Sequence, residues 1–412
     1  MRILLLTQYY WPENFLINSL VPLLVARGVE VTVLTGKPNY PDGLIFEGYR
    51  AGGCQREQHD NTIVLRLPIV ARGSRSRTRL ALNYLSFIFS GYLFGQGLVK
   101  EREYELVFVY APSPLLQALP AIWLARLRQV PLVVWVQDLW PESLLATGSI
   151  KNQWLLSVIA RLVRIVYRAS DRILVQSQAF IAPVAALTDD PAKIHYYPSM
   201  YKTSSYCVVS PRVIALTKEL QAFFSVVFAG NLGTAQALDT IVETARHLVH
   251  YPEIRVVVVG SGSLGDWLSQ QRDVYGLTNL TLAGRFEASD MSTIFAAAEA
   301  LLVSLRPEPA FELVIPGKLQ AYLAAGRPVL AALDGEGSRI IREAGAGLCS
   351  EAGNAKALTE NVLRMAALSP RERHQMGQNG RSYFERHFAP DALADELVEH
   401  FKEVISAQEK TI

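Results

Sequence analysis

Residues 311–328 read FELVIPGKLQAYLAAGRP, an apolar helical pattern that begins after a proline-glycine-lysine turn. Pro316 favours a helix start, because the N–H group that proline lacks would be unpaired in the first turn. Gly326 favours the helix end, since glycine adopts the left-handed C-cap conformation without strain. The helix N-terminus carries a partial positive charge, and Lys318 adds a full charge beside it. The pattern predicts a diphosphate site; the alternative is a buried helix whose lysine extends to solvent.

Strands that end in glycine loops surround this stretch in the second half of the chain. The apolar runs 225–229, 255–259 and 280–283 are followed by GNLG, GSGS and GRF. Glycine allows backbone N–H groups to approach an anion closely, so three such loops in one domain indicate a phosphorylated ligand. None of them has the GxGxxG spacing of dinucleotide sites, which disfavours a dehydrogenase.

The first half shows the same alternation of strands and helices. An apolar strand at 3–7, a helical pattern ending at Gly28 and a β-branched run at 29–35 form a βαβ unit, which requires a parallel sheet. Further strands are predicted at 62–67, 106–110, 132–136 and 173–176. The predicted fold class is therefore α/β, with two Rossmann-like, doubly wound domains that face each other across a cleft.

A chain of 412 residues exceeds one compact core, so two domains are expected. We predict a first domain at 1–200, an interdomain linker at 201–224 and a second domain at 225–388. The acidic, amphipathic helix at 389–412 is predicted to pack back on the first domain. The net charge of +2 argues neither for nor against a polyanion, and no nucleic-acid partner is predicted.

The three cysteines, Cys54, Cys207 and Cys349, are widely separated and lack a CxxC or histidine pairing. This distribution predicts free thiols in a reducing compartment, with neither a disulfide framework nor a zinc site. The apolar N-terminus stops at Thr7, which is too short for a signal peptide and favours a buried first strand. A cytoplasmic location is therefore predicted.

Residues 72–99 combine a basic loop with an aromatic-rich helix. Arg72, Arg75, Arg77 and Arg79 lead into LALNYLSFIFSGYLFGQGLV, whose polar residues and glycines argue against a membrane-spanning helix. We predict a core helix of the first domain whose edge and arginines face the inner surface of the plasma membrane, because anionic lipid attracts basic clusters. The alternative is a core helix with solvated arginines.

Two acidic residues follow the predicted strand at 132–136. Asp138 and Glu142 lie in the loop QDLWPES, beyond the carboxyl end of a strand, where ligands of open α/β sheets bind. Asp138 is therefore the candidate for a substrate hydroxyl contact or for acid/base catalysis. Glu142 is predicted mainly to stabilise the first turn of the next helix.

Seven segments resemble, in order and spacing, the family-four retaining glycosyltransferases of the GT-B fold. The first half carries QYYWPENFLIN, VTVLTGKPNYPDG and VWVQDLWPES; the second half carries VVFAGNLGTAQALDTIVETA, VVVVGSGS, LTLAGRFEASDM and GKLQAYLAAGRPVL. The first-half segments resemble the bacterial branch that builds surface polysaccharides, such as lipopolysaccharide O-antigen and capsule, and that includes aminofucosyltransferases. The resemblance spans nearly the whole chain.

The resemblance implies that the second domain binds a nucleotide diphosphate sugar, expected to be a UDP-linked, N-acetylated sugar. The donor-binding residues would be Gly230, Asn231, Gly233, Ser261, Arg285, Phe286, Arg306, Ile315, Pro316 and Lys318. Lys318, Glu312 and Asp138 would be the catalytic residues, with Glu312 near the ribose or the sugar hydroxyls.

The resemblance also implies an acceptor linked to undecaprenyl diphosphate and bound by the first domain. The acceptor-binding residues would be Glu13, Asn14, Asn18, Tyr40, Asp138 and Glu142. Transfer would retain the anomeric configuration, with a donor phosphate oxygen assisting deprotonation of the acceptor. No cofactor and no metal are expected, in agreement with the lack of a DxD sequence.

The chain departs from the family pattern at Asn231, Gln236, Leu313 and Ala321. The first two replace an arginine and a lysine that contact the diphosphate in many members, and the last two replace a pair of glutamates. The positive charge would then come from Lys318, Arg285 and Arg306. Two alternatives to a transferase stay open. One is an assembly subunit that binds nucleotide sugar without catalysis, and the other is a nucleotide-sugar 2-epimerase, which needs paired carboxylates and histidines.

Overall fold

The computed structural model describes residues 1–73, 76–146, 152–202 and 210–410. The chain divides into two compact units, which are Met1–Ser199 with Pro390–Ile412, and Met200–Ala389. Each unit is built around one sheet of parallel or mainly parallel strands with helices in the connections. The predicted fold class of two Rossmann-like α/β domains is confirmed.

The first unit contains an eight-stranded sheet. Its strands are β1 (Arg2–Leu6), β2 (Glu30–Gly36), β3 (Gln55–His59), β4 (Thr62–Leu67), β5 (Leu106–Ala111), β6 (Leu132–Val136), β7 (Arg172–Val175) and β8 (Ile194–Tyr196). They lie in the order β3-β4-β2-β1-β5-β6-β7-β8, and only β3 runs antiparallel to its neighbour. The residues of β5 and β6 are all buried, because helices cover both faces of a parallel sheet.

Two strands of this sheet are absent from the sequence prediction. The edge strand β3 has the polar sequence QREQH, which shows no alternation of apolar and polar residues. Strand β8 lies in a segment that the sequence analysis treats as a connection, and its three residues pair in parallel with β7. Both strands lie at the edges of the sheet, where burial imposes the weakest pattern on the sequence.

The helices of the first unit connect these strands. They are α1 (Ile17–Ala26), α2 (Arg77–Val99), α3 (Leu119–Arg128), α4 (Glu142–Ala146), α5 (Gln153–Ala169), α6 (Ile181–Ala185) and, from the C-terminus, α16 (Pro390–Glu409). Helix α16 packs within this unit through buried apolar residues such as Phe401, whose ring centroid lies 5.1 Å from that of Phe108. Arg27, at the end of α1, forms ion pairs with Asp391 and Asp395 of α16.

The second unit contains a six-stranded sheet in which all strands are parallel. The strands are β9 (Phe224–Ala229), β10 (Ile254–Val259), β11 (Leu280–Gly284), β12 (Ala300–Ser304), β13 (Val329–Ala332) and β14 (Gly347–Ser350). Their order, β11-β10-β9-β12-β13-β14, is the 3-2-1-4-5-6 order of dinucleotide-binding folds. The strand order therefore reverses at β9 and β12, and ligands of such sheets bind beyond the carboxyl ends of the strands at this point.

The helices of the second unit are α7 (Pro211–Gln221), α8 (Leu238–His247), α9 (Gly265–Val274), α10 (Met291–Ala297), α11 (Pro309–Glu312), α12 (Gly317–Ala325), α13 (Gly335–Ala344), α14 (Ala355–Ala367) and α15 (Pro370–His387). Helix α7 lies inside the predicted linker 201–224. Its residues Val213, Leu216 and Leu220 are buried in the core of the second unit, so residues 211–221 of this segment form an integral helix of that unit.

Helix α12 follows the prediction for residues 311–328. It begins after Pro316 and ends at Gly326, which has a φ of +67° and thus the left-handed conformation expected of a C-cap glycine. Leu319, Tyr322 and Leu323 are fully buried against the sheet. The amino end of the helix is thereby fixed at the carboxyl edge of the sheet.

None of the helices in the described ranges is long and apolar enough to cross a membrane. Helix α2 has the length for a span but alternates between a buried and an exposed face. Asn83, Phe87 and Gly91 lie on the buried face, and Phe89 and Leu93 are 68% and 74% exposed.

Candidate functional site

The three glycine loops of the second unit are joined to one another by backbone hydrogen bonds. The N–H of Gly230 donates to the carbonyl of Val259 at 2.9 Å, and the N–H of Gly260 donates to the carbonyl of Gly284 at 2.9 Å. Gly230 and Gly260 both have a φ of +146°, and a Cβ atom on Gly260 would lie 1.9 Å from the Gly230 carbonyl oxygen. Only glycine can occupy position 260, because the two backbones are in direct contact.

Helix α12 is attached to the first of these loops through Tyr322. The Tyr322 hydroxyl donates to the carbonyl of Ala229 at 3.2 Å and accepts from the N–H of Ala229 at 2.9 Å. Ala229 is the last residue of β9 and immediately precedes Gly230. This pair of hydrogen bonds fixes the distance between the helix and the glycine loop.

Lys318, in the first turn of α12, directs its ammonium group at this loop. The Nζ atom donates to Oε1 of Gln236 at 2.5 Å and lies 3.7 Å from the centroid of the Phe228 ring. A Cβ atom on Gly230 would lie only 3.0 Å from Nζ. The predicted association of the lysine, the glycine loop and the helix N-terminus is thus present in the geometry.

The ammonium of Lys318 is largely buried, and burial lowers its pKa from 10.5 to about 7. No carboxylate among the described residues forms an ion pair with it. A cation in such a position is stabilised by any anion that binds next to it. The first unit also contains a lysine of this kind, Lys37, which donates to Oε1 of Gln55 at 2.8 Å.

A pocket of about 510 Å³ opens at the carboxyl ends of β9, β10 and β11. Five of the predicted donor-binding residues line it, namely Gly230, Asn231, Ser261, Arg285 and Phe286. The pocket is lined further by Glu287, Ala288, Met291 and Phe295, which the sequence analysis does not single out. A pocket of this size, formed by backbone at strand ends, suits a small polar ligand.

The remaining predicted residues of the second unit do not line this pocket. Arg306 is exposed, and its N–H donates to the carbonyl of Ala235 in the turn that follows the first glycine loop. Glu312 is exposed at the end of α11, where its backbone packs against Gly335. Ile315, Pro316 and Gly233 lie in the connecting segments, and Ile315 packs on the core.

Arg212 is a site residue that the sequence analysis missed. It donates to the carbonyl of Arg285 at 2.9 Å and to that of Ala283 at 2.6 Å, and its guanidinium lies 4.1 Å from the centroid of the Phe286 ring. These contacts hold the loop after β11, which forms one wall of the pocket. No sequence signal could have identified it, because Arg212 lies in the segment interpreted as a linker.

In the first unit, Asp138 lies in a half-buried loop after β6. One of its carboxylate oxygens accepts from the indole N–H of Trp140 at 3.2 Å and from the hydroxyl of Ser143 at 3.1 Å. Burial raises the pKa of Asp138, and these hydrogen bonds oppose the shift. Glu142 is the first residue of α4, in agreement with the predicted stabilisation of a helix start.

Glu13 has a structural role that the prediction of acceptor binding did not foresee. It is 1% exposed, and Oε1 accepts from the N–H groups of Asn39 and Tyr40 at 2.8 and 2.7 Å. Burial raises its pKa to about 7. Asn18 also holds backbone, since its Oδ1 accepts from the N–H of Trp11. Glu13 and Asn18 therefore shape the loops, whereas Asn14 and Tyr40 are exposed.

Two arginines of the basic cluster, Arg72 and Arg79, have described side chains. Arg72 turns towards the loop of Tyr40, with its guanidinium 5.2 Å from the ring centroid. Arg79 is exposed in the first turn of α2. Arg75 and the side chain of Arg77 lie outside the described residues.

The structure also describes two of the three cysteines and the residue types that could bind a metal. Cys54 and Cys349 are free thiols, and Cys207 lies outside the described residues. Across the described ranges, no group of three His, Cys, Asp or Glu side chains could hold a metal ion. Independence from metals stays a prediction.

Two family models match the chain, and the matches fall on the two units. Residues 16–199 match the glycosyl transferase 4-like domain, and residues 224–367 match the glycosyl transferases group 1 domain. Among curated proteins, WbjE of Pseudomonas aeruginosa, named as a glycosyltransferase, is 25% identical over 284 residues, covering 66% of this chain and 69% of that protein. WcaI of Escherichia coli K12, named as a colanic acid biosynthesis glycosyl transferase, is 24% identical over 339 residues, covering 79% and 82%.

Solved structures share the fold of both units. The Anabaena protein HepE, solved in complex with UDP, matches 98% of this chain and 100% of its own with a TM-score of 0.68 and 13% identity. The Rossmann-like α/β fold of each unit is that of GT-B glycosyltransferase structures. The two family models match one unit each, and the protein is a glycosyltransferase.

Proposed function

We propose that the protein transfers a sugar, expected to be N-acetylated, from a UDP-sugar to a lipid-linked glycan during synthesis of a bacterial surface polysaccharide, with retention of configuration. The observation that carries this proposal is the ammonium of Lys318, which is largely buried beside Gly230. A buried cation without a carboxylate partner is destabilising unless an anion joins it. The diphosphate of a nucleotide sugar would supply that anion.

The comparisons support a uridine nucleotide as part of the donor and the synthesis of a surface glycan as the pathway. HepE was solved with UDP, which favours a uridine nucleotide for the pocket next to Gly230. WcaI is named for the biosynthesis of an exopolysaccharide, colanic acid, which favours a surface glycan as the product. An aminofucosyl group stays one candidate for the transferred sugar.

The proposed chemistry assigns separate tasks to the two units. In the second unit, the bond from the anomeric carbon to the diphosphate breaks, and negative charge develops on the departing phosphate. Lys318 and the N–H groups at the start of α12 would stabilise this charge, an electrostatic contribution that often dominates catalysis. A phosphate oxygen of the donor would accept the proton of the acceptor hydroxyl, with Asp138 orienting that hydroxyl and Glu312 contacting the sugar.

The experiment that tests the donor class is thermal stabilisation of the purified protein by UDP, GDP, ADP, TDP and NAD, with and without EDTA. A ligand that binds only the folded state stabilises it by about 2.7 kcal/mol at a hundredfold excess over the dissociation constant. We expect a shift with UDP that EDTA does not change. A shift with another nucleotide instead of UDP would change the assigned donor nucleotide. No shift with any of the nucleotides would contradict the proposal.

Product analysis with a lipid diphosphate acceptor tests the reaction itself. Transfer with retained configuration would support the proposal. Conversion of the free nucleotide sugar to its 2-epimer would favour the epimerase, and tight binding without turnover would favour a non-catalytic subunit.

Arg212 is expected to act on donor affinity by holding the pocket wall. Replacing Arg212 with alanine removes two hydrogen bonds to the loop after β11 and the contact with Phe286, so UDP affinity should fall about tenfold. Calorimetric titration measures the change.

Arg255 provides the matched control for Arg212. Its guanidinium lies 4.2 Å from the centroid of the Phe223 ring and donates to the carbonyl of Thr278. These contacts lie at the amino ends of β10 and β11, whereas the pocket lies at their carboxyl ends. Arg255→Ala should lower the melting temperature without changing UDP affinity. Equal affinities in both variants would show that Arg212 has no role in the pocket.

Helix α2 supplies the observation for membrane association. Its exposed side chains Leu82, Leu85, Phe89 and Leu93 follow one another at helical spacing and form one apolar face. No acidic residue occurs between Asp60 and Glu101, whereas the loop before α2 is rich in arginine. An apolar helical face beside basic residues suits the interface of an anionic bilayer. We propose that this face binds the inner membrane surface.

Membrane binding should combine apolar burial with a salt-sensitive component. Phe89→Glu with Leu93→Glu should abolish pelleting with phosphatidylglycerol vesicles, because the charges would oppose burial in the lipid. For the unaltered protein, raising the salt to 1 M should weaken pelleting, since the Debye length falls to about 3 Å. Val274→Glu, at an exposed valine of the second unit, is the control and should pellet normally. Pelleting that ignores the paired substitution would contradict the assignment.

A further inference from the structure

The turn that contains Arg72 is fixed by its backbone to the loop after β2. The N–H of Arg72 donates to Oδ1 of Asn39 at 3.0 Å, and the N–H of Gly73 donates to the carbonyl of Gly43 at 2.9 Å. A Cβ atom on Gly43 would lie 2.3 Å from the backbone of Gly73, so the two loops touch. Asn39 is fully buried and also interacts with Asn83 of α2. The position of residue 72 is therefore set by the core of the unit.

The side chain of Arg72 carries a charge that no acidic residue neutralises. Among the described residues, no carboxylate lies within ion-pair distance of its guanidinium, which packs on the Tyr40 ring. Two other arginines of this unit with buried or half-buried side chains are paired, whereas Arg128 donates to the backbone carbonyls of Val99 and Arg102. Arg66 contacts Glu57 at 2.5 Å, and Arg172 contacts Glu403 at 2.7 Å. The backbone of Arg72 is thus fixed, and its side chain has no ionic partner among the described residues.

A buried hydroxyl adjoins this guanidinium. Tyr9 is 2% exposed, and its hydroxyl makes no hydrogen bond of good geometry within the described residues. Burial and the neighbouring Tyr84 hydroxyl raise the pKa of Tyr9, whereas the adjacent Arg72 guanidinium lowers it. A buried polar group without a partner destabilises the fold unless a ligand or water completes its hydrogen bond. The Tyr9 hydroxyl and Arg72 could both donate to one oxyanion.

The nearest acidic groups do not compensate Arg72. Both carboxylate oxygens of Glu13 accept backbone N–H groups, and burial raises its pKa to about 7, so it is partly neutral near physiological pH. Asp138, which acts electrostatically on Tyr84, accepts from Trp140 and Ser143. Among the described residues, neither of these carboxylates forms an ion pair with Arg72.

These residues share one edge of the sheet. Tyr9 follows β1, Tyr40 follows β2 and Arg72 follows β4, and these three strands are neighbours in the order β4-β2-β1. Parallel strands bring such residues together at their carboxyl ends, where ligands of this fold bind.

We propose that Arg72, the Tyr9 hydroxyl and the Tyr40 ring form a site for a phosphate group of the acceptor, the diphosphate that joins the glycan to its lipid. This inference rests on the proposed function. It assigns Arg72 to binding the acceptor phosphate, in addition to any attraction to anionic lipid. The chain supports a lipid-linked phosphate, because the turn of Arg72 leads directly into α2, whose exposed face is the proposed membrane surface. Asn83 joins the buried side of that helix to Asn39.

The test is calorimetric titration of the full-length protein with farnesyl diphosphate, a short isoprenoid diphosphate. The Lys318→Met background removes the ammonium beside Gly230 in the second unit and leaves the first unit unchanged. In this background, Arg72→Ala should weaken binding at least about tenfold, because a charge-assisted pair is lost. Tyr9→Phe should weaken it severalfold, and Arg72→Lys should restore part of the affinity.

Arg79→Ala is the matched control, since Arg79 is an exposed arginine of the same cluster. It should change farnesyl diphosphate affinity less than twofold. Equal losses for Arg72→Ala and Arg79→Ala would overturn the site, because they would reflect only general charge. Farnesol should bind equally to all variants, and a loss of farnesol binding in Arg72→Ala would also overturn the proposal. Inorganic pyrophosphate separates the sources: affinity equal to that of farnesyl diphosphate would overturn a lipid-linked ligand in favour of free diphosphate.

UDP stabilisation of the Arg72→Ala variant, measured without the Lys318 change, separates the two proposals. It should equal that of the unaltered protein, because the nucleotide pocket lies in the other unit. If no nucleoside diphosphate stabilises either protein, the donor assignment fails, while the farnesyl diphosphate titration still decides the role of Arg72.

Discussion

Replacing Lys318 with methionine is expected to lower sugar transfer at least about 100-fold while leaving the protein folded. The substitution removes the ammonium beside Gly230, which would stabilise the charge on the departing diphosphate. Methionine is unbranched and fills the channel of the aliphatic stem. Transfer is measured as release of UDP with a lipid diphosphate acceptor. Unchanged turnover would contradict the role of Lys318 at the diphosphate.

The same variant is expected to melt at a higher temperature than the unaltered protein below pH 7. Burial lowers the pKa of Lys318 from 10.5 to about 7, so the unfolded state binds more protons than the folded state between these values. The stability of the unaltered protein therefore rises with pH across this window, and below pH 7 the buried charge costs at most ~3–5 kcal/mol. The advantage of Lys318→Met should shrink as the pH approaches 10.5. A lower melting temperature at pH 6 would show that the ammonium is stabilising.

Lys37 offers the matched control for this experiment. Its ammonium is also buried and donates to a glutamine, Gln55, but it lies in the first unit. Lys37→Met removes a similar charge from a similar environment, so it should leave UDP affinity unchanged. A loss of UDP affinity in both variants would mean that the removal of a buried lysine perturbs the protein generally.

Replacing Gly260 with alanine is expected to destroy the nucleotide pocket. The new Cβ atom would lie 1.9 Å from the carbonyl oxygen of Gly230, and position 260 has a φ of +146°, which L-residues rarely adopt. The strand ends must separate, and this should cost at least ~3 kcal/mol of unfolding free energy. The hydrogen bond from Gly260 to Gly284 should be lost as well. Denaturant unfolding and UDP titration measure both effects.

Gly265 is the control for this substitution. It begins α9, next to the same loop, and a Cβ atom there would lie 4.0 Å from its nearest neighbour, a methyl carbon of Leu232. Gly265→Ala should leave UDP affinity unchanged and stability unchanged or slightly higher, since alanine favours the helix. The joined glycine loops are not essential to the pocket if the unfolding free energy of Gly260→Ala is within ~0.5 kcal/mol of that of the unaltered protein and the variant binds UDP normally.

The central strands of both sheets and helix α12 could be predicted from the sequence because their signals are local. Runs such as 132–136 are apolar throughout, as a strand covered on both faces requires, and the structure has the strand at Leu132–Val136. The segments that were missed, β3, β8 and α7, are a polar edge strand, a three-residue edge strand and a helix within an assumed linker. Strand β3 pairs with the adjacent β4 but lacks an apolar pattern, whereas β8 and α7 depend on neighbours that are more distant in sequence.

The candidate site was predicted only in outline. The glycine loops and Lys318 were identified because glycine and a charged helix start are informative by residue type alone. Glu13 was assigned to the acceptor, but its burial and backbone partners are visible only once the loops after β1 and β2 meet. Arg212 could not be found at all, since its partners Ala283 and Arg285 are more than 70 residues away.

The sequence by itself determined which segments become the central strands and where glycine loops and the helix of Lys318 lie, since side-chain period and turn residues act within short windows. The tertiary structure decided which charges are paired. Lys318 meets Gln236 across 82 residues, and Arg72 is left without an acidic partner at the edge of three strands. These outcomes depend on how sheets and loops pack, because electrostatic interactions are set by distance and burial in space.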